Sequence, residues 1–302
     1  MSSVKQVLMA PQGPKFSQLV QGYWRLGAWD MSAQERLTFL KQHVELGIST
    51  VDNAAIYGDS EMLFGEALAL DPIMREQIQI VSKFGINGIA PTIGEKRVSH
   101  YDSSKSLILS STENSLKRLG VEQLDALLVH RPDFLMDVDV VAETFAELKA
   151  SGKVKHFGVS NFSASQFELL QSRLDEPLIT NQIEINPINF GVLEDGTTDQ
   201  LQRLRIRPMA WSCLAGGDIF SSETEQARRL RGTLLELQIE LDASSIEQVI
   251  FAWVLKHPVN AVALIGSGKI ERVNEALGAL ELQMNTEQWY RIWTASKGHN
   301  VA

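Results

Sequence analysis

The stretch SAQERLTFLKQHVELGISTVDNA, Ser32–Ala54, contains the unit from which the fold is read. Its first part has the pattern of a helix, with Ser32 placed to cap the start and Gly47 to stop the end. Its second part, STVDNA around Val51, is a short β-rich run. A helix followed at once by a short buried strand is half of a βαβ crossover. The same alternation recurs along the chain.

Short β-rich runs stand near Val20 (QLVQGYW), Val51 (STVDNA), Val81 (IQIVSKFG), Leu127 (LDALLVH), Val159 (KHFGVSN), Ile183 (ITNQIEI), Met209 (RPMAWSC) and Leu264 (AVALIGS). Most are continuously apolar, as parallel strands covered by helices are. Helical patterns fill the gaps. SSKSLILSSTENSLKRLG ends in Lys117, Arg118 and Gly120, which suits a helix C-terminus. DVVAETFAELKASG and SASQFELLQSRL follow. Two helices, near 228–240 and 244–256, separate the seventh and eighth runs, and His257-Pro258 closes the second. After the eighth run come KIERVNEALGAL and a terminal helix carrying Trp289 and Trp293.

Eight such units without a Pro/Gly/Ser-rich linker predict an α/β fold. The expectation is a (β/α)8 TIM barrel spanning residues 1–302 as one domain, with an extra C-terminal helix. A doubly wound sheet would place G-x-G-x-x-G after its first strand, and QGYWRLGAWD does not supply it. Two segments that follow strands, Gly85–Lys105 and PINFGVLEDGTTDQ, are long for loops and are expected at the barrel's C-terminal face, where substrate sites are shaped.

Composition narrows the function. The chain has 302 residues, 44% hydrophobic and 22% charged, with a net charge of -9, which disfavours nucleic acid as a partner. No apolar run approaches a membrane span. A single cysteine, Cys213, and an opening segment without signal or transit pattern point to the cytoplasm.

Asp52 ends the second β-run, with Tyr57 in the loop beyond it. Lys83 ends the third run and His130 the fourth. Strand ends of a barrel converge on one mouth, so these residues are expected to meet. An ammonium beside a phenol lowers its pKa, and a carboxylate beside the ammonium keeps it charged. Asp52, Lys83 and Tyr57 therefore form a relay that delivers a proton to a developing alkoxide. A neutral imidazole at His130 donates a hydrogen bond to the same oxygen. Each residue has an ordinary alternative: a cap, a half-buried aromatic, a solvated cation, a loop histidine. Four on one face weigh against all of these together.

DNAAIYG, VSKFG, LLVHRPD, HFGVSNF, NQIEINP and AWSCLAGG resemble the aldo-keto reductases, in that family's order, over about Gly22 to Glu275. The likeness is nearest to the bacterial branch of general oxidoreductases. It implies a barrel that reduces aldehydes and ketones with NADPH, and a catalytic set of Asp52, Tyr57, Lys83 and His130. It implies cofactor contacts from Gly22 and Tyr23, from Ser160, Asn161 and Gln182 at the nicotinamide amide, and from Trp211 stacked on the ring. Ser212, Leu214 and Gly216 fall at the pyrophosphate. Ser267, Gly268, Lys269, Arg272 and Glu275 fall at the 2′-phosphate end.

Gly266 and Ala276 depart from the family, which often has lysine and asparagine there, and Lys269 is a candidate replacement for the missing cation. The residue types suit these tasks: amides and hydroxyls match a carboxamide, and a helix N-terminus with cations suits a phosphate. Asn161 and Ser163 also read as helix caps, Trp211 as core and Glu275 as exposed helix surface.

Tyr23, Trp24, Trp29 and Phe84 are expected to wall the mouth around an apolar or aromatic carbonyl. Arg25 and Arg131 either favour an acidic substrate or pair with structural carboxylates. No metal is called for. The expected partner is a small-molecule carbonyl compound, with the chain a monomer or weak oligomer. Lys83 as a Schiff-base lysine and a non-catalytic NADPH-binding regulator are the alternatives.

Overall fold

A computed structural model of the chain describes residues 4–88 and 98–302; the remainder of the Gly85–Lys105 segment, expected to shape the substrate site, lies outside the described residues. Eight parallel strands close a barrel: β1 Leu19–Gly22, β2 Thr50–Asp52, β3 Gln79–Phe84, β4 Leu124–Val129, β5 Val154–Ser160, β6 Asn181–Glu184, β7 Met209–Trp211 and β8 Val262–Ile265. Each pairs with its successor in the chain, and β8 returns to β1, with Ala263 beside Leu19 and Ile265 beside Gln21. All eight predicted runs are barrel strands.

The larger helices are α1 Ala33–Glu45, α2 Ser60–Ala69, α3 Lys105–Leu119, α4 Val138–Ala150, α5 Ala164–Gln171, α6 Thr197–Leu204, α7 Glu225–Glu240, α8 Ile246–Lys256, α9 Ile270–Gly278 and α10 Thr286–Lys297. Their ends follow local chemistry. Ser32 and Glu35 form a reciprocal capping box at α1, and Ser163 and Gln166 form another at α5. Gly120 ends α3 in a left-handed turn at φ 67°. The terminal helix α10 packs on α7, and Arg291 pairs with Glu236 and Glu240 across that contact.

Side chains alternate between two cores, as strand geometry demands. Val20, Val81, Ala126, Leu128, Met209 and Val262 fill the barrel interior. Their neighbours Leu19, Val51, Ile80, Leu127, Val129 and Ala210 face the helices.

Three features depart from the sequence reading. An antiparallel hairpin, Gln6–Leu8 with Lys15–Ser17, precedes the barrel, and its Phe16, together with Met9 just after its first strand, packs into the interior cluster. Ile86–Asn87 pairs with His100–Tyr101, so the long segment after β3 begins and ends as a small ladder. The segment expected as a loop after β6 holds a one-turn helix, Gly191–Glu194, and the start of α6. The α6 sequence TTDQLQRL has only two apolar residues, too few to show a helical period.

Candidate active site

The alternation decides which side chains reach the mouth. Val81 points inward, so Lys83, two residues on, does too; the same parity carries Leu128 to His130 and Met209 to Trp211. Lys83 is fully enclosed and Asp52 nearly so. The Lys83 ammonium donates to Asp52 Oδ2 at 2.7 Å, to the Asn53 carbonyl at 2.8 Å and to the Tyr57 hydroxyl at 3.1 Å. The Tyr57 ring meets the His130 ring edge-on at 5.7 Å and lies 6.3 Å from Trp24. Asp52, Tyr57, Lys83 and His130 thus form one contiguous cluster. Asn53 belongs to it as well, through a backbone carbonyl that no residue pattern reveals.

The environment sets the charge states. Burial acts to lower the Lys83 pKa, but Asp52 and Tyr57 together more than offset it and hold the ammonium above its ordinary range. Burial raises the Tyr57 phenol, and the nearby ammonium lowers it by less, so the net direction is upward. That reverses the expected balance: removing a phenolate from water costs more than one cation returns. Burial, with Lys83 and Arg131 adding to it, pushes His130 down to about 2, so its imidazole is neutral.

Further round the mouth, Ser160 Oγ donates to the Gln182 carbonyl and Asn161 Nδ2 to Ser160 Oγ at 2.8 Å. Trp211 Nε1 donates to Asn161 Oδ1 at 3.1 Å. Asn161 sits in the left-handed region at φ 61°, and it is Ser163, not Asn161, that caps α5. Gln182, expected at a nicotinamide amide, reaches across the barrel and donates to Asp52 Oδ1 at 2.7 Å. Both carboxylate oxygens of Asp52 are thereby satisfied.

After β7, Leu214 is near the right-handed region and Ala215 is left-handed, and Gly216 and Gly217 both have positive φ. Such alternation gathers backbone N–H groups into an anion-binding concavity. Ser212 is left-handed too, at φ 54°. Non-glycine residues held this way store strain that usually serves a site.

After β8, Ser267 Oγ accepts from the Lys269 N–H, and Lys269 and Arg272 stand exposed without ion partners among the described residues at the start of α9. Gln21 Nε2 ties this turn to β1 through the Ser267 carbonyl, leaving Gln21 Oε1 buried and unpartnered. A Cβ at Gly268 would come within 2.4 Å of the Trp29 indole, so Trp29 packs flat on this turn. Gly22 is buried at the top of β1, close to the Ile265 carbonyl.

Two expectations about side chains are corrected. Tyr23 does not wall the mouth: it follows inward Gly22, so its ring points out among Phe39, His43 and Phe64, and its hydroxyl bonds His43 Nε2 at 2.8 Å. Phe84, although its ring packs edge-on against Phe145 of α4, borders the cavity beside Lys83. Glu275 is not bare surface, since its Oε2 accepts from Ser244 and Ser245 at 2.5 and 2.6 Å, at the start of α8. Trp24 is exposed beside Tyr57. A cavity of about 250 Å³ opens beside Lys83 and His130, walled by Ile56, Asn87 and Asn114.

A parallel eight-stranded barrel with a buried Asp–Lys–Tyr cluster and a neutral histidine at its C-terminal mouth is the architecture of a known class of oxidoreductases. The chain belongs to the aldo/keto reductase family, whose pattern matches residues 18–297. It is 52% identical to Oxidoreductase YdhF of Escherichia coli strain K12, over 99% of both chains. It is 45% identical to the Bacillus subtilis oxidoreductase YcsN, over 95% of this chain and 96% of that one. Among solved structures, the thermostable aldo-keto reductase Tm1743, crystallised with the inhibitor epalrestat, superposes with a TM-score of 0.80 at 26% identity, covering 96% of this chain and 99% of the other. Among the described residues, no helix is long and apolar enough to cross a membrane, and no cluster of three or more His, Cys, Asp or Glu is placed to hold a metal.

Proposed function

We propose that this protein is an NADPH-dependent carbonyl reductase in which Tyr57 supplies the proton. The observation that carries the reading is the Lys83 ammonium, enclosed in the barrel and donating at once to Asp52 and to the Tyr57 hydroxyl. The residues around the mouth fit the cofactor. Ser160 and Asn161 offer a hydroxyl and an amide to a carboxamide, Trp211 offers an aromatic face, the 212–217 turn offers backbone N–H groups, and Ser267, Lys269 and Arg272 suit a 2′-phosphate. NADPH, when bound, supplies the hydride to the carbonyl carbon.

The chain's own residues handle the oxygen. Tyr57, protonated across the physiological range, gives its proton to the oxygen as negative charge develops there. Lys83 then faces a phenolate and stabilises it, while Asp52 keeps the lysine charged. Neutral His130 donates a hydrogen bond that aims the carbonyl oxygen at Tyr57. The same geometry argues against a Schiff-base role for Lys83, because a protonated nitrogen engaged with three acceptors has no free lone pair to attack a carbonyl.

The test is Tyr57→Phe. NADPH affinity, read by fluorescence titration, is expected to stay near that of the parent, while turnover of a panel of aldehydes and ketones falls about 10²- to 10⁴-fold. Unchanged turnover overturns the mechanism. Tight NADPH binding with no turnover of any carbonyl compound by the parent points to a regulatory nucleotide-binding role instead.

A further inference from the structure

An arginine removed from water needs acceptors for its five N–H donors, and leaving them unmade is costly. Half-buried Arg36, Arg118, Arg207 and Arg231 all obey this, each giving its guanidinium to a carboxylate or backbone carbonyl. Arg131 is also half-buried, yet among the described residues its guanidinium meets neither. It rests over the Trp211 ring, 5.7 Å from the centroid. Arg25 lies similarly over Trp24, at 5.1 Å, but stands exposed to solvent.

The place of Arg131 is specific. It directly follows His130, whose carbonyl accepts from Asn161, and Asn161 in turn accepts from Trp211. The guanidinium therefore lies on the same side of the mouth as the group that orients the oxygen, and its charge is felt by both Tyr57 and His130. Carboxylates at this rim are already engaged. Asp133 accepts the backbone N–H groups of Ser103 and Leu135, and Glu184 accepts the amides of Asn186 and Asn189. A chain of net charge -9 repels anions at long range, so an unspent cation at the reacting centre has a selective effect.

We propose that Arg131 determines specificity by receiving an anionic group, a carboxylate or a phosphate, carried by the carbonyl substrate. The planar guanidinium fork matches either anion. This rests on the reading of Tyr57 as the reacting centre, and it narrows the substrate class to carbonyl compounds that are also anions.

The experiment compares 4-formylbenzoate with its neutral methyl ester, and glyceraldehyde 3-phosphate with glyceraldehyde, at saturating NADPH. The parent is expected to favour at least one anionic member by about tenfold or more in kcat/KM, and the favoured pair tells carboxylate from phosphate. In Arg131→Met that ratio falls to near one, chiefly through KM, and Arg131→Lys recovers part of it. Calorimetric titration of the same compounds into parent and Arg131→Met gives a readout that needs no turnover. If no carbonyl compound is reduced, the proposed function fails while the anion site is still judged by that binding. A parent ratio near one in both pairs, or a ratio that survives Arg131→Met, overturns the proposal. So does a variant that loses NADPH affinity with the ratio intact, since Arg131 then serves the cofactor.

Discussion

At the scale of single residues, the site is defined by which charges burial permits. Lys83 remains an ammonium inside a barrel because Asp52 and Tyr57 surround it, and His130 remains neutral because burial, with the Lys83 and Arg131 cations beside it, disfavours its charged form. These states make a prediction about pH. A proton donor works while protonated, so activity persists below the Tyr57 pKa and is lost as pH rises through it. That pKa lies above the ordinary phenol value of about 10, so the rate of carbonyl reduction should hold to the alkaline end of the measurable range. His130 takes up its proton only near pH 2, so no imidazole limb should cross the neutral range. A kcat profile with an inflection between about pH 6 and 7 would contradict the neutral His130 assignment.

At the scale of elements, helix packing separates two glycines that look alike in sequence. Gly65 lies inside α2 where that helix crosses the end of α3, and a Cβ there would come within 2.2 Å of the Arg118 carbonyl. The obstacle is backbone, so α3 must shift, and Arg118 carries the Glu61 ion pair that also holds Ser82 of β3. Gly65→Ala should therefore destabilise by about 1–3 kcal/mol despite the better helix propensity of alanine. Gly232, exposed within α7, has nothing within 4 Å of an added Cβ. Gly232→Ala should stabilise by about 0.5–1 kcal/mol. Denaturant unfolding of the pair reads both signs, and a stabilised Gly65→Ala would refute the close α2–α3 approach.

At the scale of the whole molecule, His43 links α1 to the barrel and makes stability depend on acid. It is fully buried, bonded through Nδ1 to the Ile48 carbonyl and through Nε2 to Tyr23, and burial depresses it from 6.5 to about 4. Below pH 6.5 the unfolded chain binds a proton that the folded chain refuses, so stability falls as pH drops from 6.5 towards 4. The loss from this one residue approaches about 3 kcal/mol. His43→Gln should flatten that part of the stability curve, measured by unfolding at pH 7 and pH 4.5. An equal slope in parent and variant would shift the cause to buried His130 or to the partly buried His156 and His257.

Much of this was written in the chain itself. Eight β-rich runs at crossover spacing pointed to a helix-covered parallel sheet, and the missing G-x-G-x-x-G after the first run favoured the closed barrel over the doubly wound form. Asp52, Lys83 and His130 were legible as strand-end residues, and strand alternation, applied from outward Val51 and from inward Val81 and Leu128, assigns them the inward face. The same rule applied to Gly22 and Lys83 turns Tyr23 and Phe84 outward, a consequence available in sequence but visible only once the strand limits are known.

Other features were decided by tertiary structure alone. Gln182 meets Asp52 from the far side of the barrel, Glu275 is taken up by two serines of another helix, and Arg131 finds no acceptor among the described residues. Each of these depends on distances between residues remote in the chain. Residue types record what a side chain is able to bind; packing settles which partners come within reach and which charge is left for a ligand.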